Sequence, residues 1–456
     1  MQLFFDPETV ALIGASATPF RPGNQLSQNL EICFGERFYP VNPRTKKIGD
    51  RDSYPSILEV PASIDVAIIF IQASQVPKAV EQCADKGIKR VIIESGGFAE
   101  VGPEGKALHD RCLAVAREAD MRLWGPNCMG CINVTKQKVL SFLIPMMWQG
   151  RFMPGRVSLV VQSGMLSAGF LASILYKRPF GLSKVASIGN KMDVDEVDLL
   201  EYLVSEHDTG VIAMYLESMG RGRRFLELAR STSKPIVVLK AGRTDFGREA
   251  ANSHTAAMAQ DDRVLDSALR QAGVIRVRGM TELLDVARSL GMVEHRGQGR
   301  ARVAILSFSG GAGVVASDML HDHGLELAKL RPETLARIKQ VFPEWMEPAN
   351  PVDVYPAIEK HGPDEPIRKS LEAVMEDPEV DAVFIHIFAA PVDVPLFNYG
   401  HMSRILEEYK KQMVVWIMGA GEGAEKMTRE LEKRGIPVVD EIGKGVRIIA
   451  ALAGRR

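Results

Sequence analysis

The sequence predicts an α/β protein built on parallel sheets in three successive blocks, and three observations carry that expectation. Short β-branched apolar runs alternate with amphipathic helical stretches along nearly all of the 456 residues, the pattern of strand–helix–strand units with right-handed crossovers. Residues 136–155, with Pro145, Gly150, Pro154 and Gly155, and the polar residues 294–301 interrupt the alternation. The composition, 46% hydrophobic and 25% charged, is that of a folded chain.

Taken in order, Val10 to Ile13, Val66 to Ile71 and Val91 to Glu94 read as buried strands of a first block, 1–135. Val157 to Val161, Val211 to Leu216 and Ile236 to Leu239 do so for a second, 155–293; Val303 to Leu306, Val380 to Ile387 and Met413 to Ile417 do so for a third, 301–456. Val76 to Lys86 and Leu226 to Arg230 carry the apolar spacing of helices between them. Blocks two and three echo each other, since strands from Val157 and Val303 both end at Ser-Gly, at Ser163-Gly164 and Ser309-Gly310, before a small-residue helix.

Composition also excludes classes of function. Lys+Arg number 56 against 57 Asp+Glu, so no broad basic field exists for nucleic acid or an anionic membrane. No apolar run reaches the roughly 18 residues of a spanning helix, and the first residues lack a basic, cleavable leader, so a cytoplasmic protein is expected. Five cysteines are too few for a disulfide scaffold; Cys128-x-x-Cys131 has no second pair with which to hold zinc, and no metal is expected.

Parallel sheets place ligands at the carboxyl ends of their strands. At the end of the first, Gly14 would let backbone amides approach a phosphate, with Ser16 as an added donor and a helix beyond. The segment lacks Gly-x-Gly-x-x-Gly, which weakens a nicotinamide reading, and Asn42 with Lys46 after the second strand suits a ligand with an extra phosphate. A tight turn in a packed sheet is the competing reading. In the second block, His254 lies in a small-residue loop beyond the strand ending at Leu239, flanked by Ser253 and Thr255. An imidazole is a nucleophile when an acceptor fixes its other nitrogen, and Glu217 at the end of a neighbouring strand is the candidate acceptor. Ser163-Gly164-Met165 opens a helix whose amides suit an anion, and Asn190 with Lys191 stands in a polar turn at the same edge. Four ordinary loops are the alternative.

The motifs Val-Ala-Leu-Ile-Gly14-Ala-Ser16, Tyr39-Pro-Val-Asn-Pro43, Ser95-Gly-Gly-Phe-Ala-Glu100, Gly125-Pro-Asn-Cys-Met-Gly130, Gln162 to Ser167, Gly189 to Asp193, Tyr215-Leu-Glu217, Ser253-His254-Thr255 and Asn350-Pro-Val-Asp353 run in order along nearly the whole chain. With them the chain resembles the α subunit of NDP-forming acyl-CoA synthetases, the ADP-forming acetate–CoA ligase branch of the succinyl-CoA synthetase superfamily. The resemblance implies a Rossmann-like CoA-binding domain followed by two flavodoxin-like domains. It implies CoA on Gly14, Ser16, Arg21, Asn42, Lys46 and the turn Glu94-Ser95-Gly96, and phosphorylation of His254 with Glu217 fixing its ring. Ser163, Gly164 and Met165 become the phosphate cradle, with Asn190 beside it. The implied reaction is acyl-CoA + phosphate + ADP ⇌ carboxylic acid + CoA + ATP, through acyl phosphate and phosphohistidine.

No stretch resembles an ATP-grasp domain, so the resemblance implies a separate β subunit holding ADP/ATP with Mg²⁺, in an αβ heterotetramer. The family usually reads Ser-His-Thr-Gly, whereas Ala256 stands here and restricts positive φ beside the histidine. That departure motivates the alternative of a non-catalytic CoA or acyl-CoA sensor of the same fold; a nicotinamide-dependent oxidoreductase is the third reading.

Overall fold

A computed structural model describes residues 1–247, 249, 261–293, 301–390 and 398–454. The chain divides into two compact units, Met1–Leu284 and Asp285–Arg456.

The first unit holds two large sheets and a two-stranded antiparallel ribbon of Lys47–Ile48 and Arg51–Asp52. Strands β1 (Val10–Ile13), β2 (Phe38–Val41), β3 (Val66–Ile69), β4 (Arg90–Ile93) and β5 (Arg122–Trp124) form a parallel sheet in the order β2-β1-β3-β4-β5. All four residues of β1 and of β3 are buried, as expected where helices cover both faces and the strands read as unbroken apolar runs. β3 stops two residues short of the expected run because Phe70 and Ile71 turn toward the next strand, Ile71 N donating to Ser95 Oγ at 3.0 Å. The helix Pro22–Phe34 begins with Pro at its first position and ends at Gly35, whose φ of +53° suits glycine.

The second sheet contains β6 (Cys131–Asn133), β7 (Lys138–Leu140), β8 (Pro154–Val161), β9 (Leu182–Ser187), β10 (Val211–Leu216), β11 (Ile236–Lys240) and β12 (Ile275–Val277), in the order β12-β11-β10-β8-β9-β6-β7. Its five longer-range members are parallel, while β6 and β7 form a hairpin that adds antiparallel to β9. The sequence pattern predicts only parallel strands, and this antiparallel pair departs from it. Trp124 joins the sheets: its indole packs on Phe4 and Phe5 and donates to Ser187 O at 2.7 Å. Turns after β5 and β9 interlock as well, since Asn190 N and Met192 N donate to Pro126 O and Gly125 O at 2.9 and 2.7 Å.

The second unit holds β13 (Arg302–Ser307), β14 (Glu326–Leu327), β15 (Val352–Asp353), β16 (Ala382–Phe388), β17 (Gln412–Met418) and β18 (Val438–Val439) in a parallel sheet ordered β14-β13-β16-β17-β18, with β15 also on β13. β16 starts two residues later than its apolar run because Val380 N closes a turn on Asp377 O. Buried Arg288 pairs with Glu432 and donates to Val438 O at 3.0 Å, tying its helix to the sheet edge.

Candidate functional site

One cavity of about 840 Å³ opens in the first unit where the carboxyl ends of both sheets face the same space. Its wall combines Phe70, Glu94 and Gly96 from the first sheet with Gln162, Ser163, Gly164, Met165, Asn190, Tyr215 and Glu217 from the second. Seven of the expected site residues therefore share one surface, although they come from sequence positions as far apart as 94 and 217.

Glu217 follows β10, and its placement is held from three sides. Gln162 Oε1 accepts from Glu217 N at 2.8 Å and from Ser218 N at 3.0 Å, while Gln162 Nε2 donates to Ser218 Oγ at 3.1 Å. Tyr215 donates its hydroxyl to Glu217 Oε1 at 3.3 Å, and Lys240 Nζ donates to Glu217 O at 2.8 Å. Burial, followed by the neighbouring Glu217 charge, raises the Tyr215 hydroxyl above its usual range, so it stays a donor. Burial lowers the Lys240 ammonium. Gln162 and Tyr215 stand in the same sequence motifs as Ser163 and Glu217, but only strand pairing shows what they hold.

Ser163 caps the helix Gly164–Ala172, yet its hydroxyl makes no capping bond. In the second unit its echo, Ser309, spends its hydroxyl on Ala312 N. The first N-terminus thus presents free amides, a hydroxyl and the positive end of a helix dipole to the cavity. Gly189 takes φ +55°, and a Cβ there would lie 2.1 Å from Pro126 O, so glycine is required to set the next residue against the cavity. That residue, Asn190, donates its side-chain amide to Glu100 Oε2 at 2.8 Å, and Glu100 Oε1 accepts from Gly97 N at 2.7 Å. Lys191 turns inward instead: its ammonium meets Glu196 at 2.8 Å and Ser218 O at 2.9 Å, so it is a brace rather than an anion ligand.

The eight residues expected to hold CoA separate into two groups. Glu94 and Gly96 line the cavity, with Ser95 buried beneath them and bonded through its hydroxyl to Ile71 N. Gly14, Ser16, Arg21, Asn42 and Lys46 lie outside its wall, around the ends of β1 and β2. The groups adjoin through Phe70, since a Cβ on Gly14 (φ +102°) would strike Phe70 O at 2.2 Å. Asn42 is occupied with its own loop, donating to Ala15 O at 2.8 Å and accepting from Arg44 N and Thr45 N. Arg21 and Lys46 are exposed cations.

His254, with Ser253, Thr255 and Ala256, lies outside the described residues. The segment that leads to it does not: Ala241, Gly242 and Gly247 form part of the cavity wall. Cys128 and Cys131 are buried and donate to separate carbonyls, Ile93 O and Phe4 O, and burial raises both thiols. Among the described residues no group of three His, Cys, Asp or Glu could hold a metal ion, and no helix is long and apolar enough to cross a membrane.

Comparison with known proteins gives three family matches: a CoA binding domain over residues 8–133, a succinyl-CoA ligase like flavodoxin domain over 154–290, and a ligase-CoA domain over 303–439. The acetate–CoA ligase [ADP-forming] II subunit alpha of Pyrococcus furiosus is 33% identical, over 96% of this chain and 94% of that protein. The acetate–CoA ligase [ADP-forming] II of Archaeoglobus fulgidus is 36% identical over 98% of this chain, which spans 65% of that longer relative. Among solved structures, the dinucleotide forming acetyl-coenzyme A synthetase 1 of Candidatus Korarchaeum cryptofilum, in complex with phosphate and ADP, is 29% identical. It covers all of this chain and 96% of its own, with a TM-score of 0.87.

Proposed function

The chain belongs to the ADP-forming acetate–CoA ligase family, and from that premise we propose that it is the α subunit of an ADP-forming acyl-CoA synthetase. It interconverts acyl-CoA, phosphate and ADP with a carboxylic acid, CoA and ATP. The observation that carries this reading is the single cavity that gathers Glu217, the Ser163–Met165 helix start, Asn190 and the Glu94–Gly96 turn.

Phosphate binds at the amides of Gly164 and Met165 with the uncommitted Ser163 hydroxyl, where backbone donors and the helix dipole favour a dianion. One of its oxygens attacks the thioester carbonyl carbon. The C–O bond forms, the C–S bond breaks, and the sulfur leaves with the electron pair and takes the proton that phosphate brought. The acyl phosphate then gives its phosphoryl group to one ring nitrogen of His254, releasing the carboxylate. Glu217, held by Gln162 and Lys240, accepts the N–H of the other ring nitrogen and stabilises the charge that develops. CoA enters along the first sheet: exposed Arg21 and Lys46 meet its phosphates, Gly14 and Ser16 the adjoining backbone, and the Glu94–Gly96 turn its thioester end.

Phosphohistidine is discharged to ADP on a partner β subunit of ATP-grasp type, which holds the nucleotide with Mg²⁺ in an αβ heterotetramer. Support comes from the relatives, one of which is an α subunit of similar length while another extends well beyond this chain. The relatives' names favour a working ligase over the non-catalytic sensor. The test mixes the chain with acyl-CoA and radiolabelled phosphate. Acid-labile label on the protein, absent from His254→Ala, is expected; no label with any acyl donor refutes the reading.

A further inference from the structure

The cavity wall contains one side chain whose chemistry the phosphate and histidine steps leave unused. Glu94 is 3% exposed, and neither of its carboxyl oxygens has a hydrogen-bond partner among the described residues. Of the buried polar atoms left in that condition, only these two belong to a residue of the cavity wall. The same cavity wall carries an apolar stretch: Phe70 and Phe142 stack at 5.7 Å with an interplanar angle of 18°, and buried Cys128 also lines it. Gly130 leaves the carboxyl its space, since a Cβ there would lie 2.6 Å from Glu94 Oε1.

Burying an unpaired carboxyl costs stability, so its retention facing a cavity points to a ligand that completes it. Burial holds the group well above the usual carboxylate range, which favours the neutral acid, a form with one O–H to donate. An ionised carboxylate would repel both the phosphate and the oxyanion formed when phosphate adds to the thioester. A neutral acid complements an acceptor that gains negative charge, and the acyl carbonyl oxygen is such an acceptor.

We propose that Glu94 donates its carboxyl hydrogen to the carbonyl oxygen of the acyl thioester and of the acyl phosphate that follows, while the Phe70–Phe142 pair packs the acyl chain. This rests on the ligase reading given above and makes Glu94 a catalytic residue that polarises the electrophile without transferring its proton. The phosphate that Ser163 to Met165 hold then meets a carbonyl already polarised from the other wall of the same cavity.

The experiment compares Glu94→Gln, which keeps an N–H donor, with Glu94→Leu, which does not. Because Glu94 makes no bond within the described protein, Glu94→Leu is expected to unfold at the same urea concentration as the wild type or a higher one. CoA release from acetyl-CoA, with arsenate in place of phosphate, reports the first step on the full chain alone. Glu94→Leu is expected to lower it about a hundredfold, the usual loss when one donor to a developing oxyanion is removed, and Glu94→Gln by no more than about tenfold. Infrared difference spectra of isotope-labelled acetyl-CoA, bound without phosphate, add a readout that needs no turnover. The carbonyl band is expected below its free position in the wild type and Glu94→Gln, and at the free position in Glu94→Leu.

Equal loss in both variants would mean that the proton itself is transferred, and would overturn the proposal. So would an unshifted carbonyl band in the wild type. Loss of CoA binding by calorimetry in Glu94→Leu would move the contact from the acyl group to the CoA chain, with the same result. Wild-type protein that forms no phosphohistidine from any acyl-CoA sinks the ligase reading, whereas phosphohistidine formation with identical rates in all three proteins sinks only the role of Glu94.

Discussion

Replacing Gln162 with Leu preserves side-chain size and removes the junction between β8 and β10. Two backbone donors, Glu217 N and Ser218 N, lose the Oε1 acceptor they share at 2.8 and 3.0 Å, and Ser218 Oγ loses its partner at 3.1 Å. Each orphaned buried donor costs about 1–3 kcal/mol; the partial exposure of Glu217 and Ser218 keeps the sum near the lower end, about 2–4 kcal/mol. Urea unfolding followed by tryptophan fluorescence should show that loss in the full chain. On the mechanism we propose, in which Glu217 fixes the His254 ring, a displaced Glu217 should slow label transfer from phosphate by at least about tenfold, the equivalent of about 1.4 kcal/mol in the barrier. Gln162→Glu separates these effects. Its carboxylate still accepts both N–H groups, so stability should recover in large part, while a second negative charge beside Glu217 and the phosphate should raise the phosphate KM. If Gln162→Leu unfolds with the wild type and transfers label at the same rate, the claim that this side chain positions Glu217 is wrong.

Further outcomes follow from other parts of the structure. Gly189→Ala must place a methyl 2.1 Å from Pro126 O at φ +55°, so the turn carrying Asn190 has to move; a loss of about 3 kcal/mol in urea unfolding and weaker phosphate binding are expected. Lys191→Met leaves buried Glu196 without its ammonium and should cost about 3–5 kcal/mol, whereas the double change Lys191→Met, Glu196→Gln should recover part of it. In the second unit, burial lowers the His386 imidazole to about 4, while its ring packs on Trp416 and bonds Ser307 Oγ at 3.0 Å. Below about pH 6.5 the unfolded chain binds the extra proton and the folded one does not, so stability falls with acidification down to about pH 4, by at most about 3 kcal/mol. His386→Phe should flatten that slope between pH 7 and 4.5, and an unchanged slope would place the titrating group elsewhere.

Much of the fold was legible in the sequence because apolar runs are local. Val10–Ile13 and Val211–Leu216 begin and end where the residues change character, and the ends of most other long strands moved by one to three residues. The missed strands explain themselves. β9 contains Ser183 and Lys184, which break its apolar pattern, yet the Lys184 ammonium is buried against Asp208 at 3.6 Å and Thr135 at 3.4 Å. β6 and β7 have three residues each, too few for any period to show; β6 owes its existence to pairing with β9, and β7 to pairing with β6.

The sequence by itself determined the parallel-sheet architecture, the Gly-bearing turns at strand ends and the family motifs, because these depend on residues adjacent along the chain. It also marked Glu217 and Ser163 as chemistry-bearing residues. Only the tertiary structure decided that Glu94 shares a cavity with them, that Gln162 and Lys240 fix Glu217, and that Lys191 faces inward to Glu196. Those relations join strands far apart in sequence. They follow from sheet order and register, which decide which groups meet water, which meet each other, and which carboxyl is left for a ligand.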